Sequence, residues 1–178
     1  LDMAREVLGD ESLNVARLEG NLSADIYNQG RYEEAHRYAV DAYEAFRKQL
    51  PENAIPIQVA VDQLIRCNTQ LAWKWVTTSG TEHETLRRGV QLARKSVELR
   101  PDDPALWRWL FGAEVTAGEY RQAIRSHARH EELLQKRNFD NELLLAIAFA
   151  KLGEYDEAKS RYCSGFTWVS ARRKNSET

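Results

Sequence analysis

The chain contains 178 residues, carries a formal net charge of −2, and has 43% hydrophobic and 29% charged residues. These values are typical of a soluble globular domain with a sizeable core, and they argue against disorder. Acids and bases are nearly balanced along the chain, and no apolar run approaches the roughly 18 residues of a membrane span. We therefore expect neither a nucleic acid nor a membrane as a partner.

Helical periodicity predicts an all-α chain that begins with a partial helix. The further predicted helices span residues 11–29, 32–49, 55–79, 82–99, 104–117, 120–136, 139–152 and 155–170. The first residues read as the end of a helix, which predicts that the sequence is a segment of a longer protein. A polar tail is predicted over residues 171–178. Its ARRK run is interpreted as solvated, with a targeting or anion-binding motif as the alternative.

A short motif recurs at three places along the chain. Glycine, an aromatic residue and alanine share the same offsets in GRYEEA from Gly30, GEYRQA from Gly118 and GEYDEA from Gly153. The last two glycines are 35 residues apart (153 − 118), a period that predicts stacked helical hairpins reversing at the glycine. Each tyrosine is predicted to wedge between two helices, and each alanine to let them approach. These residues are Tyr32, Tyr120 and Tyr155, and Ala35, Ala123 and Ala158.

A fourth unit is predicted at Gly80, where the aromatic–alanine pair is missing. Thr81 and Glu84 have the spacing of a capping box, which predicts a helix start. Further along, Asp103 and Pro104 predict an N-cap and the first turn of the next helix. The apolar stripe of the fourth unit consists of Leu86, Val90, Ala93 and Val97.

These motifs resemble those of the tetratricopeptide repeat family, whose repeats are helical hairpins with small and aromatic residues at set offsets from a loop glycine. The first half is similar to the kinesin-light-chain-like variety of the family. The resemblance implies an α-solenoid, a right-handed superhelix of about four hairpins, over residues 1–170. It also implies protein binding, and the mixture of repeat types resembles arrays in bacterial multidomain signalling proteins.

The sequence lacks common catalytic motifs. It contains neither a phosphate-binding G-x-x-x-x-G-K-[ST] run nor a G-x-S-x-G nucleophile motif. His127, His130 and Glu131 share one predicted helix, but we interpret the histidines as packing residues because no further ligand has site-like spacing. Cys67 is predicted to be buried and unreactive on an apolar helix face. We expect no enzyme activity, no cofactor and no metal.

The resemblance further implies where a partner binds, because the first helix of each hairpin lines the concave surface in this family. Counting back from each glycine gives the candidate groove residues Arg17, Tyr27, Asn28, Gln70, Lys74, Thr78, Arg108, Thr116 and Lys151. The four cations of the groove face one acid, Asp140. This excess predicts an acidic or carboxylate-ending peptide, and simple solvated charges are the equally weighted alternative. Gly20, Ala24 and Leu143 replace expected polar clamp residues, so recognition of a chaperone tail is not expected.

Two segments place a cation between two tryptophans. Helix positions two apart point about 200° apart, so the two tryptophans of a pair cannot share one face. We predict that all four pack sideways against neighbouring helices and leave the two cations exposed to a ligand. The segments are Trp73-Lys74-Trp75 and Trp107-Arg108-Trp109.

The predicted function is a non-catalytic scaffold whose concave groove binds a peptide or a protein. The alternative is a structural, self-associating or regulatory array of a larger bacterial signalling protein, and homo-oligomer formation stays open. The two cysteines, Cys67 and Cys163, are far apart in the sequence. This usage favours a reducing compartment, and the expected location is cytoplasmic.

Overall fold

The computed structural model describes residues 1–9, 12–78, 80–135 and 139–176, with side chains as far as residue 167. Within these ranges the chain is all-α, with one short 3-10 helix at Phe139–Asn141 and no strand. None of the helices described is both long enough and apolar enough to cross a bilayer. The α-helices are α1 (Asp2–Leu8), α2 (Leu13–Asn28), α3 (Tyr32–Gln49), α4 (Ile55–Thr77), α5 (His83–Leu99), α6 (Pro104–Ala117), α7 (Tyr120–Leu134), α8 (Glu142–Lys151) and α9 (Tyr155–Ser176).

The predicted order of helices is confirmed. Helices α3 and α6 begin and end at the predicted residues, and the start of α4 is also as predicted. The predicted boundaries at residues 11, 79 and 136 lie outside the described residues. Helix α9 continues to Ser176, beyond the predicted end at residue 170, so its backbone includes part of the predicted polar tail. The side chains of the ARRK run lie outside those described.

The chain divides into two compact units, Leu1–Thr77 and Thr78–Thr178. In unit 1, α2 packs against both α3 and α4, and α3 packs against α4. In unit 2, each helix from α5 to α9 packs against the next, and α6 also contacts α8. In unit 2 the hairpins α6–α7 and α8–α9 therefore stack side by side, and in unit 1 helix α4 packs on the hairpin α2–α3, as in an α-solenoid.

The turns within the hairpins follow the predicted glycine chemistry. Gly30 and Gly118 have φ values of 79° and 81°, in the left-handed region that side chains other than glycine's rarely adopt. After α6, the amide of Glu119 donates to the carbonyl of Glu114 at 2.8 Å, which closes the helix end. The second helix of the same hairpin, α7, can then begin at Tyr120 without a long loop.

In unit 1, small residues let the helices approach closely. Ala35, Ala39 and Ala42 are buried along one face of α3, at the helical spacing of four and three residues. The hydroxyl of Ser23 on α2 donates to the Ala35 carbonyl at 2.8 Å. This bond satisfies a buried hydroxyl and joins the two helices of the hairpin.

The core of unit 2 is centred on Phe111 of α6, which is fully buried. Around it lie Val115 from the same helix, Ala123 from α7 and two residues of α8, and Tyr120 packs against this cluster. Ala123 and Tyr120 thus occupy the predicted places beside the turn glycine. The start of α6 is also as predicted. Asp103 caps the helix, because its carboxylate accepts a hydrogen bond from the Ala105 amide at 2.8 Å.

Two local predictions are wrong. Helix α5 begins at His83 after Glu82, without a side-chain cap, because the Thr81 hydroxyl donates to the Thr78 carbonyl instead. The capping box is therefore not formed. Tyr155 does not wedge between helices but is 72% exposed. It opens α9, the last helix described, and within the described residues no further hairpin follows to cover it.

Candidate functional site

A groove of about 480 Å³ lies in unit 1 between α2 and the first half of α4. Arg17, Gly20 and Ala24 line it from α2. On α4, the lining positions recur every three to four residues, so one face of that helix forms the second wall. A Cβ atom placed on Gly20 would make an ordinary contact of 3.9 Å with the Cβ of Ala42 on α3.

The α4 wall begins with two strongly exposed aliphatic side chains. Ile55 is 79% exposed and Val59 is 61% exposed, and both line the groove. The buried ring of Phe46, at the end of α3, adds apolar surface to the same groove. Single exposed aliphatic residues are ordinary, but neighbouring ones beside a concavity are typical of a binding surface.

The charged lining of the groove is mostly cationic. Arg17 is exposed on α2, and no carboxylate among the described residues pairs with it. Arg66 on α4 lies with its guanidinium carbon 4.7 Å from the centre of the Tyr27 ring, which fixes its position. Asp62 also lines the groove, one turn before Arg66. Two arginines and one aspartate leave the groove with a net positive charge.

Buried polar contacts hold the α4 wall in place. The Gln63 amide donates to the hydroxyl of Ser23 at 3.2 Å and lies 3.7 Å from the Cys67 sulfur. Burial raises the pKa of the Cys67 thiol, and the contacts from Ser23, Arg66 and Gln63 offset this only in part. The thiol therefore stays neutral, so the prediction of a buried cysteine is confirmed and its chemistry is that of a packing residue.

The predicted groove residues of α4 lie further along the helix than the groove does. Gln70 is half-buried, one turn beyond Arg66, and Thr78 is exposed just after the helix end. The Lys74 ammonium is 3.0 Å from the carboxylate of Glu33 on α3. Partial burial acts to raise the pKa of Glu33, but the Lys74 hydrogen bond, a backbone hydrogen bond and the Lys74 charge together lower it. Lys74 thus has a carboxylate partner within its own unit.

In unit 2, the predicted groove residues lie on α6 and α8, which contact each other. Arg108 and Thr116 are exposed on α6, and the Thr116 hydroxyl donates to the Gly112 carbonyl at 3.0 Å. Lys151 is exposed at the end of α8. Leu143 and Ile147, one turn apart on α8, are also exposed. Unit 2 therefore presents cations and aliphatic side chains on its first helices too.

The tryptophans pack less completely than predicted. Trp73 is 48% exposed and Trp109 is 39% exposed, so a large part of each indole is not covered by neighbouring helices. Their partners Trp75 and Trp107 are half-buried, and the Trp107 indole donates to the Pro101 carbonyl at 2.8 Å. When one tryptophan turns toward the helical packing, the one two positions away points to the opposite side. The Arg108 guanidinium carbon lies 5.9 Å from the Trp109 ring centre.

A second cavity, of about 420 Å³, lies in unit 2 among α5, α6 and α7. Its buried carboxylate, Glu114, is already paired. Buried Glu114 accepts hydrogen bonds from Ser126 at 2.7 Å and from Arg94 at 2.9 Å, and Arg94 also contacts Glu119. Burial raises the pKa of Glu114 despite these hydrogen bonds. This network links three helices and neutralises the buried charge of the cavity, so we take the unit 1 groove, with its exposed aliphatic wall, as the better candidate site.

The two histidines of α7 are buried, as predicted for packing residues. The His127 ring centre lies 5.0 Å from that of Phe111, and its Nε2 is 3.5 Å from the Glu131 carboxylate. Burial lowers the pKa of His127, and His130 adds to this while Glu131 opposes it. The Nδ1 atom of His130 is 2.7 Å from the Pro104 carbonyl oxygen. Within the described part of the chain, no group of three metal-ligating side chains is found.

Several groove residues were missed from the sequence. Asn21 on α2 and Val59, Asp62 and Arg66 on α4 line the groove but were not among the candidates. The α4 residues are three and four positions apart, a spacing that places them on one face of a helix. This spacing is the sequence signal from which that wall could be predicted. Counting back from Gly80 did not reach them, because α4 is 23 residues long.

Comparisons with known proteins add a structural likeness only. No protein-family model matches the chain, and no curated protein matches it. Twenty-six chains of solved structures match. One of them, titled MamA AMB-1, is 16% identical over 87% of this chain and 92% of its own, with a TM-score of 0.49. The all-helical fold of hairpins follows from the helices described above and their packing.

Proposed function

We propose that this chain is a non-catalytic protein-interaction module of the tetratricopeptide type, and that the groove between α2 and α4 binds a peptide segment of a partner. The three GxY–alanine motifs support the family, and the first half is proposed to be of the kinesin-light-chain-like variety. The first-helix residues of unit 2, including Arg108 and Lys151, are proposed to form a binding surface of that unit. The proposed location is cytoplasmic.

The observation that carries this proposal is the exposure of Ile55 and Val59 beside a concave surface. Burying an aliphatic side chain of this size stabilises a complex by about 1.5–3 kcal/mol. A partner that covers both would gain several kcal/mol, which offsets part of the cost of association. The excess of arginine in the groove favours a partner with acidic residues.

Peptide selection followed by mapping tests the proposal. Peptides are selected from a random displayed library on the immobilised chain, and the amide shifts of the ¹⁵N-labelled chain are then followed during titration. The expected shift changes lie along α2 and the first half of α4. Val59→Asp is expected to abolish binding, because it places a charge in the apolar wall.

Val7→Asp on α1 is the matched control, since Val7 is also strongly exposed but lies outside the groove. The control variant should bind like the original chain. Shift changes on α1 in place of the groove residues, or equal loss of binding in both variants, would contradict the proposed function.

Self-association is a second candidate, favoured by an aromatic row on α9. Tyr155, Tyr162 and Phe166 are all strongly exposed, and the last two rings are stacked with centres 6.4 Å apart. A second copy of the chain could cover this row. Light scattering across a concentration series tests this: a dimer that Tyr162→Ser dissociates supports it, and a monomer at all concentrations rejects it.

A further inference from the structure

Helix α9 has one buried side and one exposed aromatic side. Ala158 and Gly165, seven residues apart, are buried on the side that packs against α8. Tyr155, Tyr162 and Phe166 lie on a different side, and more than half of each of these side chains is open to solvent. The hairpin α8–α9 therefore uses only the first side of the helix for its own packing.

The exposed aromatic residues have the spacing of a helix–helix seam. Lys159 follows Tyr155 by four residues, and Tyr162 and Phe166 follow at steps of three and four. Side chains at alternating steps of three and four residues form one seam along a helix, and two long helices pack together through such seams. The stem of a lysine can pack in the seam while its ammonium group reaches solvent. The aromatic seam, Tyr155–Lys159–Tyr162–Phe166, therefore fits a second helix.

The charges of α9 are separated along its length. Asp156 and Glu157 lie in the first turn, and the sequence places Arg172, Arg173 and Lys174 near the other end of the helix, whose backbone continues to Ser176. Two parallel copies of α9 would bring like charges together at both ends, whereas two antiparallel copies bring acids beside bases. Antiparallel copies also place opposite ends of the helix dipoles side by side. The charges therefore favour a second, antiparallel copy of α9 as the partner helix.

We propose that the aromatic seam of α9 pairs with the same seam of a second copy of the chain, in antiparallel orientation about a twofold axis near Ser164. Tyr162 of each copy then lies against Phe166 of the other, because a twofold axis makes every contact occur twice. In the same register, Asp156 lies opposite Arg172 of the second copy. This inference rests on the self-association candidate and specifies the orientation and register of the pair.

The area of the aromatic seam sets the expected strength of the pair. A fully covered aromatic side chain buries about 150–250 Å². Because more than half of each of the three rings is exposed, two copies can cover about 600–900 Å² of aromatic surface between them. Interfaces below about 1,200 Å² are typical of weak, reversible complexes. We therefore expect a dissociation constant in the micromolar range.

Crosslinking from two positions of α9 tests the orientation. Cys163 and Asp156 are both exposed and lie seven residues apart, so they share one side of the helix. With the axis near Ser164, the two Cys163 residues lie close together, whereas the two residues at position 156 lie about 24 Å apart along the helices. Parallel copies would bring both pairs equally close. Cys67 is buried and does not compete for the reagent.

The original chain and the variant Cys163→Ser/Asp156→Cys are treated with a short bismaleimide and separated by denaturing electrophoresis. We expect a strong dimer band from the original chain and at least about fivefold less from the variant, because about 24 Å exceeds the reach of the reagent. Light scattering verifies that the variant still dimerises, so that a weak band reports orientation and not dissociation.

Charge reversal tests the pairing of the two ends. Asp156→Lys and Arg172→Glu each place like charges together in the antiparallel pair, at two symmetric contacts, and each should weaken dimerisation about three- to tenfold. The double variant Asp156→Lys/Arg172→Glu restores opposite charges and should recover most of this loss. Arg87→Glu, at an exposed position of α5, is the control and should change the dissociation constant less than about twofold at 0.15 M salt. Circular dichroism verifies that each variant is folded.

Three results would overturn the inference: a monomer at all concentrations, a dimer that crosslinks equally well from both positions, or a double variant no tighter than the single ones. The first result also rejects the self-association candidate. The other two leave self-association in place and reject only the antiparallel arrangement. Peptide binding by the α2–α4 groove in unit 1 is tested separately and does not depend on any of these outcomes.

Discussion

The guanidinium of Arg66 on α4 stacks over the ring of Tyr27 on α2, with 4.7 Å between the guanidinium carbon and the ring centre. Tyr27 is itself held by an edge-on contact with Tyr32 of α3, with ring centres 5.2 Å apart. Tyr32, two positions after the turn glycine Gly30, thus holds Tyr27, and Tyr27 in turn positions the Arg66 cation at the end of the groove. The repeat motif and the candidate binding surface are connected through these three side chains.

Replacing the ring under Arg66 should weaken binding of an acidic peptide. Tyr27→Leu removes the cation–π contact, worth about 0.5–1 kcal/mol at an exposed site, so affinity for an acidic peptide selected on the original chain should fall about two- to fivefold. Tyr27→Phe keeps the ring face and should bind like the original chain. Fluorescence anisotropy measures both. Equal losses in the two variants would mean that the hydroxyl or the local packing matters, rather than the ring face.

Alanine substitution at two helical glycines of unit 2 should change the stability of the chain in opposite directions. A Cβ atom on Gly165 of α9 would lie 3.1 Å from the Cβ of Glu142 and 3.2 Å from the Cγ of Leu143. Overpacking of this kind costs about 1–3 kcal/mol, which exceeds the helix-propensity gain of about 1 kcal/mol. Gly165→Ala should therefore lower the midpoint of thermal unfolding.

The matched variant is Gly112→Ala on α6, because no atom lies within 4 Å of a Cβ placed there. It should gain about 0.5–1 kcal/mol from the reduced freedom of the unfolded chain. Thermal melts monitored by circular dichroism compare the two. A Gly165→Ala variant as stable as Gly112→Ala would show that α8 and α9 do not pack as closely as described.

The buried carboxyl of Glu114 should make stability depend on pH. Its pKa is raised by burial, so the folded state binds its proton more tightly than the unfolded state does. The stability that this proton contributes is present at low pH and is lost as the pH rises through the folded pKa. The free energy of unfolding of the original chain, minus that of Glu114→Gln, should therefore decrease from about pH 4 to pH 7.

Urea unfolding at several pH values measures this difference. Glu98→Gln is the control for the loss of a carboxylate beside the same cavity, because Glu98 borders that cavity but is exposed. A difference for Glu114→Gln that rises with pH would mean that Arg94 and Ser126 stabilise the carboxylate more than burial destabilises it.

His127 should make stability depend on pH in the direction opposite to Glu114. Its pKa is lowered by burial, so the unfolded state takes up a proton more readily than the folded state. The stability from neutral His127 is present above the ordinary histidine pKa of about 6.5 and is lost as the pH falls through the folded value. Titratable and charged neighbours of the ring are His130 and Glu131 on α7, Glu142 on α8 and Arg161 on α9.

His127→Phe keeps an aromatic ring beside Phe111 and removes the titrating group. Between about pH 7 and pH 5, the original chain should lose stability relative to this variant, as measured by urea unfolding. His83→Phe on the exposed start of α5 provides the comparison. Parallel pH profiles of the original chain and His127→Phe would contradict burial of a neutral His127.

The helices could be predicted from the sequence because their ends carry local chemistry. Gly30 and Gly118 adopt the left-handed turn that other residues resist, and Asp103 caps the helix that Pro104 begins. These signals act within a few residues, so one sequence is enough to read them. On α2, the same anchor predicts Arg17, which lines the α2–α4 groove.

The α4 wall of the groove could not be predicted in the same way, because α4 is longer than the other first helices. Counting back from Gly80 reached Gln70 and Lys74, whereas the groove is lined by Val59 and Arg66 nearer the helix start. The exposure of Trp73 was also missed, since the pattern of a helix does not say which neighbouring helix covers each face. These features depend on packing between helices distant in sequence.

Photo-crosslinking at single sites tests the central claim, peptide binding in the α2–α4 groove, most directly. A benzophenone amino acid replaces Val59 in the groove or Glu44, exposed on α3 outside it, and each variant is irradiated with a peptide selected on the original chain. Binding in the groove predicts a crosslinked product from position 59, competed by unlabelled peptide, and none from position 44. Crosslinking from position 44 alone would contradict it.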